Sequence, residues 1–340
     1  MYTPNLLAQR WAELRQTNSQ LRIRDAAKQL KVSEVELVAL GLGTTTTRLS
    51  SDFKTLLKRL PELGSVMALT RSDAAVHEIT GYFSELSLHG DTALFFRPGL
   101  DTRYFLNDWH YGFAVNENGR LSLQFFDHLG QAVHKIYLNE HSNQAAYEQL
   151  IVEFKASEQT PLSLFNAVHT ATTPEPDIDL IELRQAWSQI QDVHEGNRII
   201  KRYGHQRPAV YRALGSEYAE ALDTSCIEWL LTALSSEQLP LMLFAMNEAA
   251  VQSYSGKIEK LLRTGPWFNI LDPQFNLHLR TQEIGEVWRV RKPSADGWVT
   301  SLDVFDWHGQ EILVFTDQRE RGQQESSRWT ELLMSYPSLI

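Results

Sequence analysis

Leu180, Leu183, Trp187, Ile190 and His194 recur at steps of three and four residues. The stretch Asp179–Tyr203 therefore reads as one α-helix with these side chains on a single face. His194 closes an apolar stripe instead of standing on the polar side. An imidazole there is either a core histidine bonded to a backbone carbonyl or a nitrogen ligand at the mouth of an apolar slot. Spacing alone leaves both readings open. His77 lies in a strand-like run beside Glu78 and has the same two readings. Arg103 is a permanent cation, able to orient water or to stabilise negative charge. Its plain alternative is a structural salt bridge to Asp101 or Asp108. Lys292 and Arg319 could hold carboxylates; each alone reads equally as a solvated surface charge. Phe105, Trp267, Phe268 and Phe275 could line a flat apolar slot or fill ordinary core. No CxxC, HExxH or GxGxxG pattern occurs, so zinc, dithiol and dinucleotide chemistry find no motif.

The elements that must position these residues can be read in order. Residues 4–17 form a helix with Pro4 early in it, and residues 24–40 a helical pair that resembles a helix-turn-helix. A short helix over residues 52–60 stops at Pro61. From Gly64 to Leu138 the chain is strand-like, with hairpin turns at Asn118-Gly119 and at His128-Leu129-Gly130. Residues 143–155 return to helix, and Pro- and Thr-rich stretches follow through Asp177. Asp179, with Glu182 three residues on, starts the His194 helix.

The second half repeats the first. AAVHEITG at 74–81 matches AAVQSYSG at 249–256, an offset of 175, and FDHLGQ at 126–131 matches FDWHGQ at 305–310, an offset of 179. The reading is a duplicated α+β protein, with repeats at 1–160 and 175–340, each giving helices, an antiparallel sheet and a closing helix. Function should lie where the copies differ: His77 stands opposite Gln252, Arg103 opposite His278, and Lys292 opposite Glu117.

The chain has 340 residues and a net charge of −10, which argues against general nucleic-acid binding. The single cysteine, Cys226, excludes an internal disulfide and fits a reducing compartment. The N-terminal stretch lacks the apolar segment of a signal peptide, and no run reaches the ~20 apolar residues of a membrane span. A cytoplasmic protein, not integral to a membrane, is expected.

Several long segments carry a family resemblance. They are MALTRSDAAVHE (67–78), LDTRYF (100–105), WHYGFAV (109–115), SLQFFDHLGQAVHKIYL (122–138), DVH (192–194), GPWFNILDPQFNLHLR (265–280) and WRVRKPSADGWVTSLDVFD (288–306). Over essentially its whole length the chain resembles the HemS/ChuS/PhuS/HmuS family of bacterial cytoplasmic haem-binding, trafficking and haem-degrading proteins. The resemblance implies two twisted antiparallel β-sheets with helices, and a haem cleft between the C-terminal sheet and the central helix. It implies His194 as axial ligand of the haem iron, Arg103 on the opposite face, and Lys292 and Arg319 at the propionates. His77 matches a histidine proposed to ligate a second haem. The implied partners are haem itself, an external reductant or peroxide for turnover, and an inner-membrane haem ABC importer or a downstream haem oxygenase. A monomer or a homodimer is implied, and no nucleic acid.

Two departures from the family pattern stand out. Gly196-Asn197 replaces a Phe-Phe pair after the axial histidine, and Thr316 replaces a tyrosine three residues before Arg319. Three functions follow: a haem carrier, an enzyme that opens the porphyrin and releases iron, and a DNA-binding regulator built on residues 24–40. The sequence does not separate the first two.

Overall fold

The structure is a computed structural model, which describes residues 3–19, 21–96, 98–162, 179–203, 207–320 and 322–339. The Pro- and Thr-rich joint at 169–177 lies outside them. The chain forms two compact units. Unit 1 comprises Met1–Arg71, Glu78–Thr170 and Glu248–Gln252; unit 2 comprises Ser72–His77, Ala171–Asn247 and Ser253–Ile340. Each unit thus takes one short segment from the other sequence half.

In the first half the elements are α1 (Pro4–Thr17), α2 (Ile23–Leu30), α3 (Glu34–Ala39), β1 (Thr46–Leu49), α4 (Phe53–Leu57), β2 (Gly64–Arg71), β3 (Ala75–Tyr82), β4 (Ser87–His89), β5 (Thr92–Phe95), β6 (Asp101–Phe105), β7 (Tyr111–Glu117), β8 (Arg120–Phe126), β9 (Ala132–Ser142) and α5 (Gln144–Phe154). In the second they are α6 (Leu180–Ser188), α7 (Glu195–Arg202), α8 (Arg207–Leu214), β10 (Ala219–Leu222), α9 (Cys226–Glu237), β11 (Leu241–Asn247), β12 (Ala250–Gly256), β13 (Leu261–Thr264), β14 (Trp267–Leu271), β15 (Phe275–Arg280), β16 (Ile284–Ser294), β17 (Gly297–Asp306), β18 (Glu311–Asp317) and α10 (Ser327–Ser335). The strand orders are β1-β7-β8-β9-β2-β3-β15-β14-β13 and β10-β16-β17-β18-β11-β12-β6-β5-β4. Position by position the second order is the first with each strand replaced by its repeat. The fold is a duplicated α+β protein with two antiparallel sheets.

The expected turns are present. Asn118 and Gly119 have φ of 55° and 91°, the two left-handed residues of a tight hairpin turn, and they join β7 to β8. The FDHLGQ and FDWHGQ turns use the same bonds: Asp127 N–H donates to the Gln131 carbonyl at 3.0 Å, and Asp306 N–H to the Gln310 carbonyl at 3.0 Å. The closing helices are fixed by ring donors, Tyr147 hydroxyl to the Ser122 carbonyl on β8 and Trp329 indole N–H to the Thr300 carbonyl on β17.

The expected helical pair over residues 24–40 is present as α2 and α3. All six residues of α3 are buried, and Glu34 at its start is held by Lys135 at 2.6 Å. Val35, Val38 and Ala39 pack on sheet residues and Leu37 on α1 and α2, so α3 offers no exposed face to a DNA groove.

The exchanged segments repeat in geometry but differ in chemistry. In unit 1, Phe105 N–H donates to the Ala249 carbonyl at 3.0 Å; in unit 2, Arg280 N–H donates to the Ala74 carbonyl at 2.8 Å. Beside the first lies a buried polar chain. Tyr104 hydroxyl donates to His134 Nε2 (2.9 Å), and Thr70 hydroxyl donates to Gln252 Oε1 (2.9 Å). Thr70 Oγ1 has spent its proton, so it accepts from His134 Nδ1–H at 2.9 Å, which fixes the tautomer. Gln252 Nε2 closes the chain on the Ala68 carbonyl at 3.0 Å.

In unit 2, the repeat puts Ala245, Leu313 and Leu279 where Thr70, His134 and Tyr104 stand. His77 takes the place of Gln252. Its imidazole is fully buried, neither ring nitrogen has a hydrogen-bond partner among the described residues, and it lies 5.1 Å from the Phe275 ring. Burial pushes both His77 and His134 down to about 3.

Each of these histidines is neutral in the folded state but takes up a proton near pH 6.5 once unfolded. Stability is therefore full above pH 6.5 and falls as pH drops towards about 3, by up to ~1.4 kcal/mol per pH unit for each ring. His77→Leu should cost little at pH 7, because no hydrogen bond is lost. It should also flatten the fall in stability between pH 6.5 and 4. Urea unfolding across that range checks both; a large loss at pH 7, or an unchanged slope, would refute this account of His77.

Candidate functional site

The expected single helix over Asp179–Tyr203 is two helices, α6 and α7, with a break at Gln189–His194. Asp179 caps α6 as predicted, accepting from the N–H groups of Ile181 and Glu182 at 3.0 Å each. Leu183, Trp187 and Ile190 of the stripe are buried, and the Trp187 indole donates to the Arg291 carbonyl on β16 at 3.1 Å. The break comes from side chains that compete for backbone groups. Asp192 Oδ1 accepts from His194 N–H at 2.9 Å, and Glu195 Oε2 from Gln191 N–H at 3.0 Å. The Gln191 carbonyl accepts from Ala295 N–H at 2.9 Å instead of continuing a helix. His194 thus sits at the N-cap of α7, not inside a helix. Its imidazole is exposed and makes no hydrogen bond or ion pair among the described residues. That excludes the core-histidine reading.

Gly196 and Asn197 each have a structural partner. A Cβ on Gly196 would stand 3.5 Å from Trp187 Cη2 and 3.7 Å from Lys292 Cε, so the glycine is packed over the indole with the Lys292 stem alongside. Asn197 Oδ1 accepts from Arg207 at 3.0 Å. Gly196 is thus packed against the Trp187 ring, and Asn197 makes a polar link to α8.

Lys292 on β16 is largely buried and lies 3.8 Å from Asp303 Oδ2 on β17. Asp303 also accepts from the Tyr211 hydroxyl (2.6 Å) and the Ser301 hydroxyl (2.6 Å). Arg207 Nε lies 3.1 Å from Glu311 Oε2 on β18. Burial pushes the Glu311 carboxyl up to about 7; Arg207 pulls it down, Asp303 adds to the rise and Lys292 opposes it. Burial also raises the Tyr211 hydroxyl well above its usual value, with Asp303 as the next cause. Arg207, Tyr211, Ser301, Asp303 and Glu311 were not singled out from the sequence. The available signal was the polar trio Thr300, Ser301 and Asp303 among the apolar residues of β17.

Arg319 follows β18, is half-buried, and donates to the Gln323 carbonyl at 3.0 Å. Thr316 Oγ1 is 3.4 Å from the Asp317 carbonyl. His194, Lys292, Arg319 and His77 belong to unit 2. Arg103 and Phe105 belong to unit 1. On β6 the neighbours Thr102 and Tyr104 are buried, so alternation turns Arg103 outward, where it is exposed. Arg103 forms no ion pair with Asp101 or Asp108 among the described residues. Phe105 is half-buried. Phe275 is not a slot residue: it is buried and stacked on Tyr254 at 3.9 Å. His77, buried against Phe275, faces core.

A family model for the haemin-degrading HemS/ChuX domain matches residues 31–154 and again 204–336. The chain belongs to this family. It is 36% identical over 313 residues to the hemin transport protein HmuS of Yersinia pestis, covering 91% of this chain and 90% of HmuS. The structure of holo-PhuS, a heme-binding protein from Pseudomonas aeruginosa, is 40% identical, with a TM-score of 0.94 over 99% of this chain and 100% of that one. The heme-degrading enzyme ChuS of Escherichia coli O157:H7 is 32% identical, with a TM-score of 0.91 over 98% and 99% of the two chains. The HemS/ChuX match falls once on each sequence repeat. Among the described residues no helix is long and apolar enough to cross a membrane.

The packing of Gly196 can be tested directly. Gly196→Ala makes only ordinary contacts and should be neutral or stabilising by up to ~1 kcal/mol through helix propensity. Gly196→Phe must move Trp187 or Lys292 and should cost about 1–3 kcal/mol in urea unfolding. Equal stability of the two variants would show that Gly196 is not packed this way.

Proposed function

We propose that this protein binds haem as ligand and substrate, with His194 on the iron and Lys292 and Arg319 at the propionates, and that it opens the ring and releases iron. The carrying observation is the exposed imidazole of His194, two residues from Gly196, whose Cα faces the stem of Lys292. A nitrogen donor, a nearby ammonium and a guanidinium in one unit are the groups that an iron porphyrin dicarboxylate requires. Bound haem would supply the redox chemistry, with either an external reductant and dioxygen, or peroxide in place of both, as co-reactant.

The residues have distinct tasks. His194 holds the iron through one ring nitrogen and needs its other N–H oriented by an acceptor. Lys292, backed by Asp303, and Arg319, tied to the Gln323 carbonyl, hold carboxylates. Arg103 serves turnover, as a fixed cation that stabilises negative charge developing during ring opening. Phe105 supplies apolar surface. His77 is the candidate ligand for a second haem, which would first have to open the contact with Phe275. The names carried by HmuS, PhuS and ChuS support transport, binding and degradation in turn. We place the protein in the cytoplasm, receiving haem from an inner-membrane importer as a monomer or homodimer.

Haemin titration followed by ascorbate separates the functions. His194→Ala should lose the Soret shift or bind at least about tenfold more weakly. Arg103→Ala should weaken haemin binding only slightly yet release iron up to about a hundredfold more slowly. A stable Soret band in the parent protein under ascorbate would make it a carrier that passes haem to a separate oxygenase. An undiminished titration by His194→Ala would remove the ligand assignment.

A further inference from the structure

Four charges meet in unit 2 where little water reaches them. Lys292, 13% exposed, faces Asp303, 1% exposed, at 3.8 Å; Arg207, 24% exposed, faces Glu311, 12% exposed, at 3.1 Å. With both carboxylates ionised, the two cations and two carboxylates balance. The groups around Glu311 are Arg207 and Tyr211 on α8, Asp303 on β17 and Lys292 on β16. The Tyr211 hydroxyl already donates its proton to Asp303, so it cannot neutralise a further carboxylate. The cluster also touches the segment that carries His194, through Arg207 on Asn197 and through the Lys292 stem at Gly196.

Balance of this kind fails when one member is shared. If Lys292 turns part of its charge to a propionate, Asp303 and Glu311 are left with Arg207 alone. A buried excess negative charge is costly, and a proton from solvent removes it. The group placed to take it is Glu311, because Asp303 is occupied by two hydroxyl donors and the lysine.

We propose that Glu311, with Asp303, is the positioning and proton-balancing partner of Lys292, so that haem binding takes up a proton at Glu311. The proposal rests on Lys292 as a propionate partner. In balance, the propionate stays ionised, Lys292 keeps its proton, and one solvent proton becomes the O–H of Glu311. The acid is poised for this role, being pushed up to about 7 before any ligand arrives.

Calorimetric titration of the full chain with haemin, in buffers of different ionisation enthalpy, reads the proton count. A few tenths of a proton, about 0.3–0.5 per haemin, should be taken up between pH 7 and 8. Haemin dimethyl ester, which has no carboxylates, should bind without this uptake. Glu311→Gln mimics the protonated acid: it should abolish the uptake and bind haemin up to about tenfold more tightly than the parent at pH 8. No uptake by the parent, or full uptake by Glu311→Gln, would overturn the proposal. Equal uptake with haemin and its ester would overturn it by breaking the link to Lys292, while the Soret titration still reports on His194. The ester comparison needs only the parent protein, so the test stands even if Glu311→Gln does not fold.

Discussion

Charges buried on the sheet of unit 2 must neutralise each other, and much of the local structure follows from that constraint. Desolvating an ammonium or a carboxylate alone costs several kcal/mol, so Lys292, Asp303, Arg207 and Glu311 are stable only as a set. The set fixes where α8 lies, because Arg207 and Tyr211 are one helical turn apart and both point at it. It fixes α7 through Asn197. Trp187, bonded to Arg291, closes the other side and carries Gly196. An exposed His194 is what remains at the start of α7 once these bonds are made.

Much of the fold was legible because its signals are local. Asn118-Gly119 needs two left-handed residues, and only one turn class uses them. Asp179 has a side-chain acceptor that suits a helix start, and it caps one. The paired Phe-Asp turns are the same hydrogen-bonded object twice. The break before His194 was not legible, since it depends on Asp192, Glu195 and the distant Ala295 N–H winning backbone groups that periodicity assigns to a helix. The buried cluster was hidden for a similar reason. Its members come from α8, β16, β17 and β18, and no spacing in the chain brings them together.

The site was half legible. Lys292 was assigned by resemblance, and the structure adds why a lysine can remain there: Asp303 lies behind it. For His77 the sequence offers ligand or core, and the structure shows a core place with no hydrogen-bond partner among the described residues. Phe275, a candidate slot ring, is taken up by Tyr254. For Arg103 the sequence offers a functional cation or a salt bridge, and the structure turns it outward, because Thr102 and Tyr104 alternate with it on β6 and are buried.

The duplication explains why these differences are informative. Both units began from one plan, and equivalent positions have been spent differently. Unit 1 placed Thr70, Tyr104, His134 and Gln252 on inward strand positions and satisfied each of them, with Tyr104 on the strand that carries Arg103. Unit 2 made the same inner positions apolar and stranded His77. Its polarity lies instead under α7 and α8. A satisfied neutral chain gives rigidity without titrating in the physiological range, whereas a charged cluster with an acid near neutrality responds to a ligand's charge. Unit 1 keeps buried charge as well, in Glu34 with Lys135, but that carboxyl is held below the usual carboxylate range; the acid raised towards neutrality lies in the unit that carries His194, and that is the arrangement expected if haem carboxylates are sensed as well as held.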